Sequence, residues 1–375
     1  MRGIDSCLLA SVLHTASPVE LLGAAQPSTQ PPLRLNTCWQ PSDIQRRHLT
    51  QKKAGLSLTL SREQQHHTML LMDYAKALFD IAIIIAVQAL MLAQVIFGYY
   101  RVKGEVPEGV TVREDLPKDA TLSIVIPAYR EAATIEATLR RVAQAASWPS
   151  RCEVIVVDAG GGDDTMPIVQ NLKKELDFDI KTTTSTGGRG PAVAAGAAKA
   201  KGQALLVLHA DTLLPYAFDD RIIEALGANY ACCFRFAVDR TQIPWSGLLR
   251  WLRLVPFEVM ERTVAVRSGF FQLPFGDQAI ACRKTTFAAL GGFDELAKAP
   301  MLEDYLLVQK LRRLGKALGM RCITQLGVPA RCHPRRWLAR PVWRVNWTNQ
   351  VIMVQVAYRG LTPQQVFELY YGRRV

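Results

Sequence analysis

What this chain does not contain narrows its function early. Its eight cysteines, at positions 7, 38, 152, 232, 233, 282, 322 and 332, include no Cys-x-x-Cys pair. A zinc ribbon and a dithiol redox motif are therefore both unsupported. Several of these cysteines fall inside apolar, strand-like runs, which marks them as reduced core residues in a compartment that is not oxidising. No Gly-x-Gly-x-x-Gly follows the first strand-like run, which disfavours a dinucleotide fold. The first 25 residues lack the basic-then-apolar layout of a signal peptide. Acidic residues are scarce: 33 Asp and Glu stand against 45 Lys and Arg, a net charge of +12. That balance suits an acidic partner, whether a phosphate-bearing substrate, an anionic membrane or nucleic acid. With 49% hydrophobic and 21% charged residues the 375-residue chain is globular, and long enough for one large or two ordinary domains.

Residues 1–68 keep no helical or strand period and carry seven basic residues against four acidic ones. They read as a disordered tail or a targeting segment, such as a transit peptide for a plastid or another compartment. Residues 69–103 read as a membrane anchor, because Ile81 to Tyr100 (IAIIIAVQALMLAQVIFGYY) is free of charge and ends at Arg101 and Lys103. Twenty helical residues span roughly 30 Å, the thickness of a bilayer's hydrocarbon. Tyr99 and Tyr100 sit where an interfacial aromatic belt falls. Gln88, Gln94, Asp73, Lys76 and Asp80 argue the other way, for a buried or self-associating helix. Residues 104–120 form a polar linker.

From residue 121 the pattern alternates between strand and helix. Leu122–Pro127 (LSIVIP) and Glu153–Asp158 (EVIVVD) are buried strands, Met166–Leu176 is helical, and Asp179–Thr184 is a short strand. The stretch GGRGPAVAAGAAKAKG opens on glycines and becomes a small-residue helix, and Leu205–Leu208 is a strand ending in His209-Ala210-Asp211-Thr212. This is an α/β domain with a mostly parallel sheet. Asp158 and Asp211 then stand at the carboxyl edge of the sheet, where such folds bind ligands. Asp211 suits a divalent cation shared with a diphosphate, or a plain helix cap. Gly160-Gly161-Gly162 lets the backbone approach a ligand. Arg189, between Gly188 and Gly190 at a helix start, suits a phosphate, or is a solvated loop charge. Glu303 and Asp304 open an amphipathic helix that ends at Gly315 as its C-cap. They either serve the helix dipole or supply a general base.

Taken in order, SIVIPAYRE, VIVVDAGGGDDT, GGRGPAVAAGAAKAKG, LLVLHADTLLP, PFGDQAIACRKTTFAALGGFDE and MLEDYLLVQKLRRLGK resemble the family 2 glycosyltransferases of the GT-A fold. More narrowly, they resemble the subgroup described as selenodomain-associated transferase 2, which carries the same HADT. The resemblance covers residues 121–334. It implies a nucleotide-diphospho-sugar transferase fold, Rossmann-like, with helices flanking the sheet. Pro127, Tyr129 and Glu131 would line the nucleotide pocket, and Asp158 would bind the base or ribose. Arg189 would meet the diphosphate, and Asp211 would bind Mn²⁺ or Mg²⁺ there. Gly276, Asp277 and Gln278 would lie by the donor sugar and acceptor. Asp304, with Glu303 as alternative, would be the catalytic base of an inverting transfer from a UDP- or GDP-sugar. This sequence departs from the family in having His209 where an Asp usually opens the metal motif, and Arg130 where an Asn often precedes the Glu.

Residues 335–375 read as a helical, basic and aromatic extension. Arg331, His333, Arg335, Arg336, Arg340 and Arg344 interleave with Trp337, Trp343 and Trp347. That composition suits a phospholipid surface, a lipid-linked acceptor or a solvated face. It also suits single-stranded nucleic acid, but no RNA-binding motif accompanies it and no nucleic-acid partner is expected. Two other functions fit the same frame, a catalytically silent nucleotide-binding or scaffold protein and a nucleotidyltransferase. The latter wants a Gly-rich, Lys-bearing loop after the first strand, where this chain has AYRE.

Overall fold

The computed structural model describes residues 41–107, 110, 116–244 and 250–372, with residues 41–63 and 66 as backbone alone. The chain divides into two compact units, Met1–His67 and Thr68–Val375. In the first, the described backbone is helical from Pro41, within α1 (Pro41–Arg101). This differs from the unpatterned reading of residues 1–68. Once the apolar half has nucleated a helix, each further residue adds at small cost, and no proline stands between 42 and 101. The reading of residues 1–40 lies outside the described residues.

The second unit is built on one eight-stranded sheet. Its strands are β1 (Leu122–Ala128), β2 (Cys152–Asp158), β3 (Asp179–Thr184), β4 (Ala204–Val207), β5 (Thr212–Leu213), β6 (Ala231–Val238), β7 (Ile280–Arg283) and β8 (Ile323–Cys332). The order is β3-β2-β1-β4-β7-β6-β8-β5. The first four in that order are parallel, while β7 runs antiparallel to both β4 and β6, so the sheet is mixed. Strands β1 and β2 are buried on both faces, which is why they read as unbroken apolar runs. The helices are α2 (Ile135–Ala145), α3 (Thr165–Glu175), α4 (Arg189–Lys199), α5 (Phe218–Ala228), α6 (Arg250–Gly269), α7 (Lys284–Ala289), α8 (Glu303–Leu318), α9 (Arg335–Ala339), α10 (Val342–Arg359) and α11 (Pro363–Tyr371).

Ile124, Ile126, Val154 and Val156 meet α2, α3 and α5 on one face of the sheet. Val125, Ile155 and Val157 meet α4 and α8 on the other. Helix α4 lies so close that a Cβ on Gly196 would stand 2.4 Å from Val125 Cγ1, which accounts for its run of small residues. Helix α8 does not stop at Gly315. Lys316, Ala317 and Leu318 continue it, and Gly319, at φ +65°, is the C-cap. The six cysteines among the described residues are free and buried.

Among the described residues, α1 is the one helix long and apolar enough to cross a membrane, with mean hydropathy 2.4 in its best window between His67 and Arg101. It is amphipathic in an unusual sense. Ala77, Ile84, Val87, Gln88 and Val95 are buried against the domain, while Met69, Met72, Phe79, Ile85, Leu90 and Phe97 are exposed. The polar residues that argue against an anchor include several that serve the packed side. Gln88 Nε2 donates to Asn346 Oδ1 at 3.1 Å, Trp343 Nε1 donates to Asp80 Oδ1 at 2.9 Å, and Arg253 pairs with Asp73 at 3.2 Å. Gln350 also donates to Gln94.

Candidate functional site

The strand register sets the site. Ala128 pairs with Asp158, and Asp158 with Thr184, so β1, β2 and β3 end level at the carboxyl edge. Strand β4 pairs with β1 through Val125–Val207, so the chain that follows it delivers His209 to Asp211 to the same edge. A cleft of about 740 Å³ opens there. Its walls include Pro127, Tyr129, Glu131, Gly188, Arg189, His209, Asp211, Gly276, Asp277 and Asp304. The structure thus brings together most of the residues singled out from the sequence.

Backbone strain concentrates at this edge. Arg130, Ala279 and Leu302 are non-glycine residues at φ 56°, 48° and 67°, a conformation costly for side chains with a Cβ. Leu302 immediately precedes Glu303 and aims the start of α8 at the cleft. Gly276 fits only as glycine. A Cβ there would lie 2.5 Å from His209 Nε2 and 3.0 Å from Asp304 Oδ2.

Asp304 and Arg189 each have a defined hold. Asp304 Oδ2 accepts from Gly276 N at 2.6 Å, and its Oδ1 accepts from Tyr305 N at 2.7 Å. Arg189 pairs with Glu303 at 2.5 Å and stands 3.9 Å from Asp304. Burial raises the Glu303 carboxyl to about 7, although Arg189 pulls it the other way. Burial, and then Arg189, press the His209 imidazole down to about 4, so it is neutral near pH 7. Burial lifts Asp277 to about 6, and its Oδ1 has no hydrogen-bond partner.

Three expected positions differ from a simple pocket lining. Asp158 spends Oδ1 on Gly160 N at 2.9 Å and is not among the cleft walls, where Ala159 stands instead. Gln278 is fully buried. It donates to Phe234 O at 2.9 Å and accepts from Ser268 Oγ at 2.7 Å, fixing the 276–278 turn rather than facing the cleft. The helix start at Arg189 offers no phosphate cradle through its first amides, because Arg189 N donates to Pro300 O and Gly190 N to Ala299 O, at 2.9 and 3.1 Å. Gly188 and Gly190 are small because the 299–300 backbone presses on them. What Arg189 presents to the cleft is its guanidinium.

The cleft residue whose place the sequence does not reveal is Arg335, read there only as a member of the basic, aromatic cluster. It follows β8 through His333 and Pro334, on the short helix α9, and pairs with Glu131 at 2.6 Å and Asp211 at 3.0 Å. The signal for it is the His-Pro-Arg-Arg-Trp run directly after a strand, which a domain boundary at residue 334 cuts in two. Among the described residues no three His, Cys, Asp or Glu side chains form a metal cage. A Mn²⁺ or Mg²⁺ ion fits this donor set only as one held by a carboxylate or two and completed by substrate phosphate and water. Asp211 is placed for that, at the position Arg335 now neutralises.

Residues 123–284 match the profile of the family described as Glycosyl transferase family 2. That stretch, under half of the chain, is what is similar to the family. A curated protein of Pseudomonas syringae pv. syringae, "Undecaprenyl-phosphate 4-deoxy-4-formamido-L-arabinose transferase", is 26% identical over 172 residues, covering 45% of this chain and 49% of that protein. The chain thus spans about half the length of the curated relatives it matches. Among solved structures, the mannosyltransferase PcManGT from Pyrobaculum calidifontis, in complex with GDP-Man and Mn²⁺, aligns with TM-score 0.42 at 19% identity, covering 73% of this chain and 74% of that one. S. aureus TarS 1-349 with UDP-GlcNAc aligns with TM-score 0.41 at 16% identity, covering 66% and 70%.

Proposed function

We propose that the protein is an inverting glycosyltransferase that moves a sugar from a UDP- or GDP-linked donor to an acceptor at a membrane. The observation that carries this reading is the convergence of Asp211, Arg189, the Gly276-Asp277 turn and Asp304 on one cleft at the sheet edge, in a chain whose residues 123–284 match the glycosyl transferase family 2 profile. Further resemblance to the selenodomain-associated transferase 2 subgroup rests on the His209-Ala210-Asp211-Thr212 run.

The donor lies with its nucleotide against Pro127, Tyr129 and Glu131, and its diphosphate reaches Arg189 and Asp211. Asp211 would hold a divalent cation, which when bound would supply positive charge for the departing nucleoside diphosphate. The chain's own groups do the rest. Arg189 is kept at the diphosphate by Glu303, and its cationic form is favoured there despite burial. Asp304, fixed by two backbone amides, takes the acceptor proton. Glu303 is the alternative base, but its ion pair with Arg189 makes it the better orienting group. The exposed apolar side of α1 supports a membrane location, and together with the name of the Pseudomonas relative it supports a lipid-linked acceptor.

The test is thermal denaturation of the full-length protein with a panel of nucleoside diphosphates, with and without Mn²⁺. A ligand at 100-fold excess over its dissociation constant stabilises by about 2.7 kcal/mol. A metal-dependent shift with UDP or GDP that disappears in Asp211→Ala supports the transferase. A well-folded sample that responds to no nucleotide supports the silent scaffold instead.

A further inference from the structure

A second cavity, of about 530 Å³, lies beside the catalytic cleft and shares Phe275, Asp277 and Trp337 with it. Its outer wall is the packed side of α1 (Met91, Val95, Gly98), and its inner walls come from α6, α8 and α10. Of the four arginines that line it, Arg267 and Arg312 are the buried ones, exposed only 4% and 7%. Each has a single side-chain acceptor in place. Arg267 Nη2 donates to Gln278 Oε1 at 3.2 Å, and Arg312 Nη1 donates to Gln309 Oε1 at 3.2 Å. Nε of both, and Nη2 of Arg312, have no hydrogen-bond partner, and neither guanidinium pairs with a carboxylate among the described residues.

Burying a guanidinium without an anion is strongly unfavourable. Burial accordingly holds both arginines below the usual arginine range, Arg267 at about 10. Phe275 lies 4.0 Å from the Arg267 guanidinium and Tyr99 5.5 Å from that of Arg312, and the carboxylates of the cavity, Asp277 and Glu105, form no ion pair with either. The free donors of the two guanidinia suit a bound anion, and their fork matches phosphate oxygens. Met91, Val95, Met260, Val264, Leu273 and Met353 give the cavity an apolar strip, beside polar walls that include Gln94, Asn346, Asn349 and Gln350. Helix α1 carries this apolar character outward, since its opposite side exposes Phe79, Ile85, Leu90 and Phe97. An anionic head at the arginines and a hydrocarbon chain along the apolar strip of α1 would use both features.

We propose that this cavity is the acceptor site and that it takes a lipid phosphate, its phosphate seated between Arg267 and Arg312 and its chain lying under α1. The assignment rests on the transferase reading for the word acceptor, but the binding site stands on its own residues. Gly98 supplies a clean way to close it. It lines the cavity, a Cβ added there would meet no atom within 4 Å, and its φ is ordinary, so Gly98→Leu fills the channel without a backbone clash.

Dodecyl phosphate below its micelle concentration is the probe for the full-length protein, measured by calorimetry against inorganic phosphate and dodecanol. Dodecyl phosphate is expected to bind at least tenfold more tightly than either control. Arg312→Gln and Gly98→Leu should each weaken it tenfold or more while leaving nucleoside diphosphate binding in the neighbouring cleft unchanged, which also shows that both variants are folded. Equal binding of inorganic phosphate, or dodecyl phosphate binding that survives both substitutions, overturns the proposal. Lipid phosphate binding without any nucleotide binding overturns the transferase reading and leaves this site standing.

Discussion

Replacing Arg335 with alanine separates the two roles that meet at Asp211. The guanidinium holds Glu131 at 2.6 Å and Asp211 at 3.0 Å, with 40% of its side chain exposed. Pairs this open to water contribute about 0.2–1 kcal/mol each. Loss of the Asp211 pair therefore leaves the fold nearly as stable as before but returns a carboxylate to any cation that wants it. Since 1.4 kcal/mol is a factor of ten, Mn²⁺ affinity in the absence of nucleotide should rise in Arg335→Ala by up to about fivefold. Electron paramagnetic resonance of free Mn²⁺ during a titration reads this directly, and a melting curve confirms that the variant is folded. Unchanged or weaker Mn²⁺ binding in a folded variant would refute the idea that Arg335 and the cation compete for Asp211.

Other substitutions probe the frame around that carboxylate. Gly276→Ala should destabilise the protein by about 1–3 kcal/mol, as overpacking does, because the new methyl meets His209 and Asp304. Nucleotide binding by calorimetry should fall with it. Asp277→Asn removes an acid whose folded value, about 6, lies above its ordinary 3.8. An acid raised by folding contributes fully below its unfolded value and loses that contribution as pH rises through the folded one. The melting temperature of the wild type should therefore fall relative to Asp277→Asn between about pH 4 and pH 6, and parallel curves across that range would show that Asp277 is not held protonated. His209, pressed down to about 4, works in the opposite direction in both proteins and drops out of the difference.

Much of this organisation is legible in the amino-acid sequence. Parallel strands buried on both faces have no choice but to be apolar throughout, so β1 and β2 announce themselves, and the acids that follow fall at one edge because parallel strands point one way. Helix ends are less legible. Gly315 looks like a stop, yet it is in the helix because its small size admits the Met320 carbonyl, where a Cβ would stand 2.7 Å away. The polar residues of α1 argue in sequence against a membrane helix, yet the partners of Asp73, Asp80 and Gln88 lie more than 170 residues away on α6 and α10. Arg335 is hidden for the same reason. Its partners Glu131 and Asp211 are distant in sequence, and only the return of the chain through β8 brings them together. Gln278 shows the converse, a motif residue whose place is inside, bonding the turn that its neighbours present.

The central claim is that the chain breaks the bond between a sugar and a nucleoside diphosphate at the cleft closed by Asp211. It is tested most directly by incubating the full-length protein in lipid vesicles with UDP- and GDP-sugars and measuring release of the nucleoside diphosphate. The account predicts release from one of these donors that depends on Mn²⁺ or Mg²⁺ and is lost in a folded Asp211→Asn variant. Release that continues unchanged in Asp211→Asn, or none from any nucleotide sugar, would contradict it.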